Sequence, residues 1–219
     1  MDRDFISFIA SNWADPIADL AMSWRTRLRQ RQGDKHLDMY DRGMCCSLVL
    51  QLMVMLESYA LRAAWGIDCA ASTKVNGRWS AADWWAKSDY RERESVLDGI
   101  VLRDVIAHNH LYCFDSGASY ETDYEQAYGG DKRWKARAQQ GRLTHSGLNC
   151  IPSEIGPSDV VAVASIVEGA LRYLVKYGVH GVDFHHARRG RQKTLWDVLR
   201  ATTEIAVTKS YRPVDDIDD

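Results

Sequence analysis

Met44-Cys45-Cys46-Ser47-Leu48-Val49-Leu50-Gln51-Leu52-Met53-Val54-Met55-Leu56-Glu57-Ser58-Tyr59-Ala60-Leu61-Arg62-Ala63-Ala64-Trp65 is the stretch whose reading decides the fold. At about 100° per residue it is a helix with almost every position apolar, and Ser47, Gln51, Ser58 and Arg62 fall within about 60° of one another. A helix apolar on nearly every side has to be buried, at the centre of a bundle or across a subunit interface. Its narrow polar stripe reads either as a solvent-facing seam or as a functional face. The most apolar part, Met44 to Leu56, is shorter than the about 20 residues of a membrane span. The start, Met1-Asp2-Arg3-Asp4, does not resemble a secretory signal. The expectation is a soluble, cytoplasmic protein with no membrane partner.

Upstream, Phe5, Phe8, Ile9 and Trp13 recur at helical spacing, and Asp15-Pro16 reads as an N-cap followed by proline at the first position of a second helix. That helix carries Ile17, Leu20, Ala21, Trp24 and Leu28, with Arg25, Arg27, Arg29 and Arg31 crowding its end as solvated cations, until Gln32-Gly33-Asp34 breaks it. Downstream, Gly66 ends the apolar helix, Asn76-Gly77 signals a tight hairpin, and Ser80-Ala81-Ala82-Asp83 resembles a capping box. The short helix so opened carries Trp84 and Trp85, of which at least one packs into the core unless they stack on RNA.

A third long helix runs from about Arg91 to Ala107 with Val96, Leu97, Ile100, Val101 and Val105 on one face. Gly156-Pro157-Ser158-Asp159 starts a fourth, where Val160, Val163, Val167, Leu171 and Leu174 form a heptad-like stripe ending at Gly178. A last helix spans Thr194 to Val207. Between the third and fourth, Asp115 to Gly147 holds five glycines and a mixed-charge run, the composition of a functional or mobile insertion. These elements predict an all-α fold: residues 1–210 as one helical domain, 111–150 as a polar insertion, and 211–219 as a disordered acidic tail.

The chain has 219 residues, a formal charge of -2 and five cysteines, which show no short metal-ligand spacing. Free thiols in a reducing compartment follow, with no metal and no cofactor expected. Local clusters, not net charge, would decide whether a polyanion binds. Two such clusters exist. Lys132, Arg133 and Trp134 combine an aromatic with cations, as a single-stranded RNA contact or as a short helix anchoring the insertion. His185 to Lys193 is the densest basic run, with Arg188, Arg189 and Arg191 as RNA-binding candidates.

The third helix ends in Arg103-Asp104-Val105-Ile106-Ala107-His108-Asn109-His110. Asp104 and His108 lie about 40° apart on a helix, within hydrogen-bonding reach, whereas Arg103 lies about 140° from His108. One regular helix therefore does not aim both at one ligand atom: either the helix ends near Ala107, or a second copy of the chain supplies the missing groups. Three readings compete. The residues are surface charges and a helix cap; or His108-Asn109-His110 is the metal-nuclease motif of that name, which the long apolar helix argues against; or Arg103, Asp104 and His108 act as a set.

Arg103 followed by a polar residue and, after four intervening residues, His108 near the end of an internal helix resembles the signature of the HEPN superfamily. So does Asn149-Cys150-Ile151-Pro152 leading into a late amphipathic helix. The resemblance covers roughly Met44 to Gly178 and leaves the flanks and the insertion unaccounted for. It implies a HEPN-like helical bundle, a homodimer with both motifs facing across a two-fold axis, and metal-independent endoribonuclease activity in a toxin-antitoxin or phage-defence setting, with RNA as substrate and an antitoxin or defence component as partner. Some members are catalytically silent binding or interaction modules. RNA carries its own nucleophile, so the protein needs a proton carrier and a cation: His108 titrates near neutrality, Arg103 offers a planar fork to the phosphorane, and Asp104 orients one of them. His110, within about 20° of Arg103 if the helix continues, is a further candidate.

Overall fold

In the computed structural model the described residues are 13–31, 33–34, 36–67, 74–75, 78–107, 137–139, 141–179, 185–188 and 191–211. They are mostly helical, as expected. Among the described residues the α-helices are α1 (Ala14–Gln30), α2 (Met39–Ile67), α3 (Ala81–Lys87), α4 (Arg93–Ala107), α5 (Pro157–Leu174) and α6 (Leu195–Ala206). Four small ladders accompany them: a parallel pair His36–Leu37 with Ser210–Tyr211, and antiparallel pairs Lys74–Val75 with Arg78–Trp79, Ala138–Gln139 with Arg142–Leu143, and His185–Arg188 with Arg191–Thr194. The expected helix around Phe5 and Phe8, the motif histidines, the expected Lys132-Arg133-Trp134 segment and the acidic tail beyond Tyr211 lie outside the described residues.

Helix α2 is the axis of the core. It packs against α1, α3, α4 and α5, and Leu48, Leu52, Met53, Met55, Leu56 and Tyr59 are fully buried. The helix is longer than its most apolar part: from Met39 to Ala64 it has the length and composition to cross a membrane, which corrects the reading of the run as too short. Within the fold that apolar surface is covered by other helices. The less buried positions from Cys46 to Arg62, among them Ser47, Leu50, Gln51, Val54, Ser58, Leu61 and Arg62, lie on one side, so the polar stripe falls on the less covered side of the helix.

Helix α1 begins at Ala14 with Trp13 at its N-cap, two residues earlier than Asp15-Pro16 suggested; Pro16 stays within the first turn, where no backbone N–H needs an intrahelical partner. Its end is not a row of solvated arginines. Arg27 contacts Asp38 at 2.5 Å, and Arg31 reaches Asp34, Asp38 and Asp41 at 2.6, 2.8 and 3.0 Å. Asp41 is fully buried and also accepts the Trp24 indole N–H at 3.0 Å. Asp38 and Asp41 exchange backbone-to-carboxylate bonds at the start of α2, so the arginines of one helix neutralise the N-terminal cap of the next.

The chain closes on itself. Thr202 of α6 donates to the Ala21 carbonyl at 3.2 Å, and the Lys209 amino group bonds the Arg31 and Asp34 carbonyls beside the parallel ladder. Helix α5 is built as its stripe predicts: Val160, Val163, Val167, Leu171 and Leu174 are all fully buried. Buried Asp159 holds its start, accepting from the backbone N–H of Asn149 and Gly156 and from the Asn149 amide at 2.9 to 3.0 Å. Its end passes through a 3-10 turn to Gly178 at φ +78, a left-handed stop suited to glycine. Trp84 and Trp85 are both buried, in a cluster with Tyr90, Tyr173 and Tyr177, which removes them as RNA-stacking platforms.

Candidate functional site

The motif helix α4 owes its position to close packing on α2. At Gly99 an added Cβ would stand 2.8 Å from the Met53 sulfur, so the missing side chain lets the helices approach. One turn further along each helix, Arg103 meets Glu57; with Gly99 on Met53, this sets α2 and α4 side by side in the same sense. The Arg103 Nε donates to Glu57 Oε1 at 2.9 Å and a terminal nitrogen donates to Oε2 at 2.8 Å, a two-pronged clamp that only a planar guanidinium can make. The other terminal nitrogen pairs with Asp104 Oδ1 at 2.8 Å. A guanidinium carries five N–H donors; among the described residues these contacts engage three.

Glu57 and Arg103 are mostly covered, their side chains 20% and 26% exposed, whereas Asp104 is 41% exposed. Burial pushes the Glu57 carboxyl above its ordinary range; Arg103 opposes that shift and Asp104 reinforces it. The trio therefore joins a fixed cation to a carboxyl that holds its proton more tightly than usual, an arrangement able to orient an anion and to exchange a proton.

A second set of bonds braces the same helix. Asp98, fully buried, accepts from the backbone N–H groups of His145 and Ser146 at 3.0 and 2.9 Å, from the Ser146 hydroxyl at 3.0 Å and from Arg137 at 2.9 Å. Arg137 also donates to the Glu94 carboxylate at 2.7 Å and to its carbonyl at 3.2 Å. The end of the expected polar insertion is thus part of the bundle: Leu143, Leu148 and Cys150 are buried. Residues 108–136 connect the C-terminal end of α4 to a docking point at Glu94, thirteen residues or about 20 Å back along the same helix.

Of the expected site residues, the structure brings Arg103 and Asp104 together. His108 and His110 lie outside the described residues, as do Lys132, Arg133, Trp134 and Arg189. Arg188 and Arg191 are register partners in the last ladder. The residue that the pattern did not mark is Glu57. A signal was present: it is the one acidic residue between Met44 and Trp65, and it falls off the polar stripe by about 80° from Ser47. Cys46, within about 20° of Glu57 around the helix, has its thiol pushed up to about 11, mainly by burial, which disfavours the thiolate at neutral pH. Among the described residues no group of three or more His, Cys, Asp or Glu is placed to hold a metal ion. The groove of about 270 Å³ between α5 and α6, lined by Val161, Ala164, Trp196, Leu199 and Val207 among others, does not include Glu57, Arg103 or Asp104.

No protein-family model, no curated protein and no solved structure matches the chain.

Proposed function

We propose that this chain is a HEPN-like, metal-independent endoribonuclease that acts as a homodimer in a toxin-antitoxin or phage-defence setting. The observation that carries the reading is the Glu57–Arg103 clamp: the motif arginine is held by a second helix with two N–H donors uncommitted among the described residues, where a solvated surface arginine would pay the entropy of ordering on every encounter. In the proposed reaction a base removes the proton of the RNA 2'-hydroxyl, the 2'-oxygen bonds the adjacent phosphorus, and the bond to the 5'-oxygen breaks as that oxygen takes a proton. The products are a 2',3'-cyclic phosphate and a 5'-hydroxyl. Arg103 stabilises the charge on the phosphorane, His108 transfers the proton, and Asp104 with Glu57 fixes the guanidinium. The angular mismatch of Arg103 and His108 along one helix is resolved when two motifs face each other across a two-fold axis. His110 is a secondary member of that cleft.

The products test this reading. A single-stranded RNA with one 2'-deoxy substitution must resist cleavage at that position while its neighbours are cut, and the 3' ends must be cyclic phosphates. Cutting at the deoxy position or 5'-phosphate products would overturn it.

One feature favours a second reading, a catalytically silent RNA-binding or interaction module: with Glu57 and Asp104 both ionised, Arg103 sits between two carboxylates and the trio carries net negative charge, which opposes a phosphate. This reading predicts RNA binding without cleavage of any 2'-hydroxyl RNA.

A further inference from the structure

Arg103 is the cation of a trio whose other two members are carboxylates. Glu57, from the neighbouring helix α2, accepts from the Nε–H at 2.9 Å and from one terminal nitrogen at 2.8 Å. Asp104, next along α4, lies 2.8 Å from the other terminal nitrogen. Each terminal nitrogen carries two N–H groups, so one on each stays uncommitted among the described residues. An oxyanion that takes those two donors sits across the guanidinium from Glu57. Among the described residues the charged groups that bear on Glu57 are Arg103 and Asp104, both of α4.

One carboxylate is enough to fix a guanidinium fork; the second changes what the site can bind. With both ionised the trio carries a net negative charge. A charge on a ligand at the free donors is attracted by Arg103 over about 4 Å and repelled by two carboxylates roughly 7 Å away across the guanidinium. Two repulsions at about 7 Å nearly offset one attraction at about 4 Å, and they do so at any dielectric constant, since both scale with it. A second charge on the ligand therefore gains no net attraction, while its cost of leaving water rises. An isolated arginine favours a dianion; this one does not. Phosphates sort along that line: an internal phosphodiester carries a single charge, whereas a terminal phosphomonoester carries about -1.5 to -2 at pH 7.

We propose that Glu57 is a specificity-determining residue of the Arg103 site: its charge, with that of Asp104, makes the site take a singly charged internal phosphodiester and reject a terminal phosphomonoester. The choice of RNA phosphates as ligand rests on the ribonuclease reading above. To that reading the inference adds where along a strand the site binds: within it, whatever phosphate the ends carry. Glu57 thereby does more than hold the guanidinium in place. A neutral acceptor could help hold Arg103, but it could not set the charge balance.

The probes are 2'-O-methyluridine 3'-phosphate and its methyl ester. They are close in size, differ by one charge at about pH 8, and lack the nucleophile, so binding is read independently of catalysis. Kd is measured by NMR titration at low salt, following the Nε–H signal of Arg103, assigned by its absence in Arg103→Lys. The wild-type protein, which needs no variant to fold, is expected to bind the methyl ester at least as tightly as the free phosphate. Glu57→Gln keeps the shape and loses the charge; it is expected to tighten both ligands and the free phosphate more, shifting the ratio of the two Kd values by about tenfold. Glu57→Asp keeps the charge and is expected to keep the wild-type ratio. Asp104→Asn, at a more exposed position, is expected to shift the ratio in the same direction as Glu57→Gln but by less. Glu204→Gln, exposed on α6, is expected to leave it unchanged. Tighter binding of the free phosphate by the wild type, a ratio that Glu57→Gln does not move, an equal shift in Glu204→Gln, or no response of Arg103 to either ligand overturns the proposal. The predicted selectivity without cleavage of any RNA leaves the proposal standing and overturns the nuclease.

Discussion

The clamp between Glu57 and Arg103 can be weighed by a double-mutant cycle. Two charge-assisted bonds of 2.8 and 2.9 Å join side chains 20% and 26% exposed, between a surface ion pair, worth about 0 to 1 kcal/mol, and a buried one, whose breaking costs about 3 to 5 kcal/mol. A coupling energy of about 2 kcal/mol is expected at neutral pH. The single variants must be unequal. Arg103→Met leaves Glu57 covered, next to Asp104 and without its cation, whereas Glu57→Met leaves Arg103 paired with Asp104 at 2.8 Å. Arg103→Met is therefore expected to cost about 2 to 3 kcal/mol and Glu57→Met about 1 kcal/mol, with the double variant costing little more than the second alone. With a urea m-value of roughly 2 to 3 kcal/mol/M for a chain of this size, Arg103→Met lowers the midpoint by about 1 M. Because burial already raises the Glu57 pKa, protonation as the pH falls toward the carboxylate range relieves the unpaired charge, and the coupling must shrink there. A coupling below about 0.5 kcal/mol at neutral pH, or one insensitive to pH, would refute the clamp as an ordered feature.

Further outcomes follow from the same geometry. Asp98→Ala strips two backbone N–H groups, a hydroxyl and Arg137 of their shared acceptor and is expected to destabilise the fold by about 3 to 5 kcal/mol, read by urea unfolding; a loss under about 1 kcal/mol contradicts the bracing of α4. Arg137 first, by its hydrogen bond, holds Glu94 below its ordinary range. Asp38 is held low although burial opposes it, by the Asp41 backbone N–H and by Arg31 and Arg27. Their contribution is present above the ordinary carboxylate range and lost as pH falls below it, so Tm must drop on acidification below that range, and Asp38→Asn must flatten that drop. Glu57 has the opposite sign: its folded pKa is raised, so its contribution is full below about pH 4.3 and declines as pH rises, and Glu57→Gln removes that decline. Light scattering at micromolar concentration is expected to give a dimer; a monomer contradicts a composite site.

The parts of the fold legible in the sequence were those set by periodicity and local capping. The stripe from Val160 to Leu174 and the Ser80 cap on the Asp83 backbone N–H are complete within one helix, so the chain states them locally. The Glu57–Arg103 pair spans 46 residues and exists because Gly99 admits Met53, a packing relation that no single-helix pattern encodes. Arg27 and Arg31 read as solvated because their acidic partners lie across a turn, beyond Gly33. The end of the expected insertion, residues 141–150, read as polar from its composition; three buried side chains and the carboxylate of Asp98 tie it to the bundle.

The central claim, that Arg103 and His108 form half of a metal-independent nuclease site, is tested most directly by the rate of RNA cleavage in excess EDTA by the wild-type protein and by Arg103→Ala and His108→Ala. The account predicts cleavage that persists with chelator and falls by at least about a hundredfold in each variant. Cleavage that either substitution leaves unchanged, or that EDTA abolishes, contradicts it.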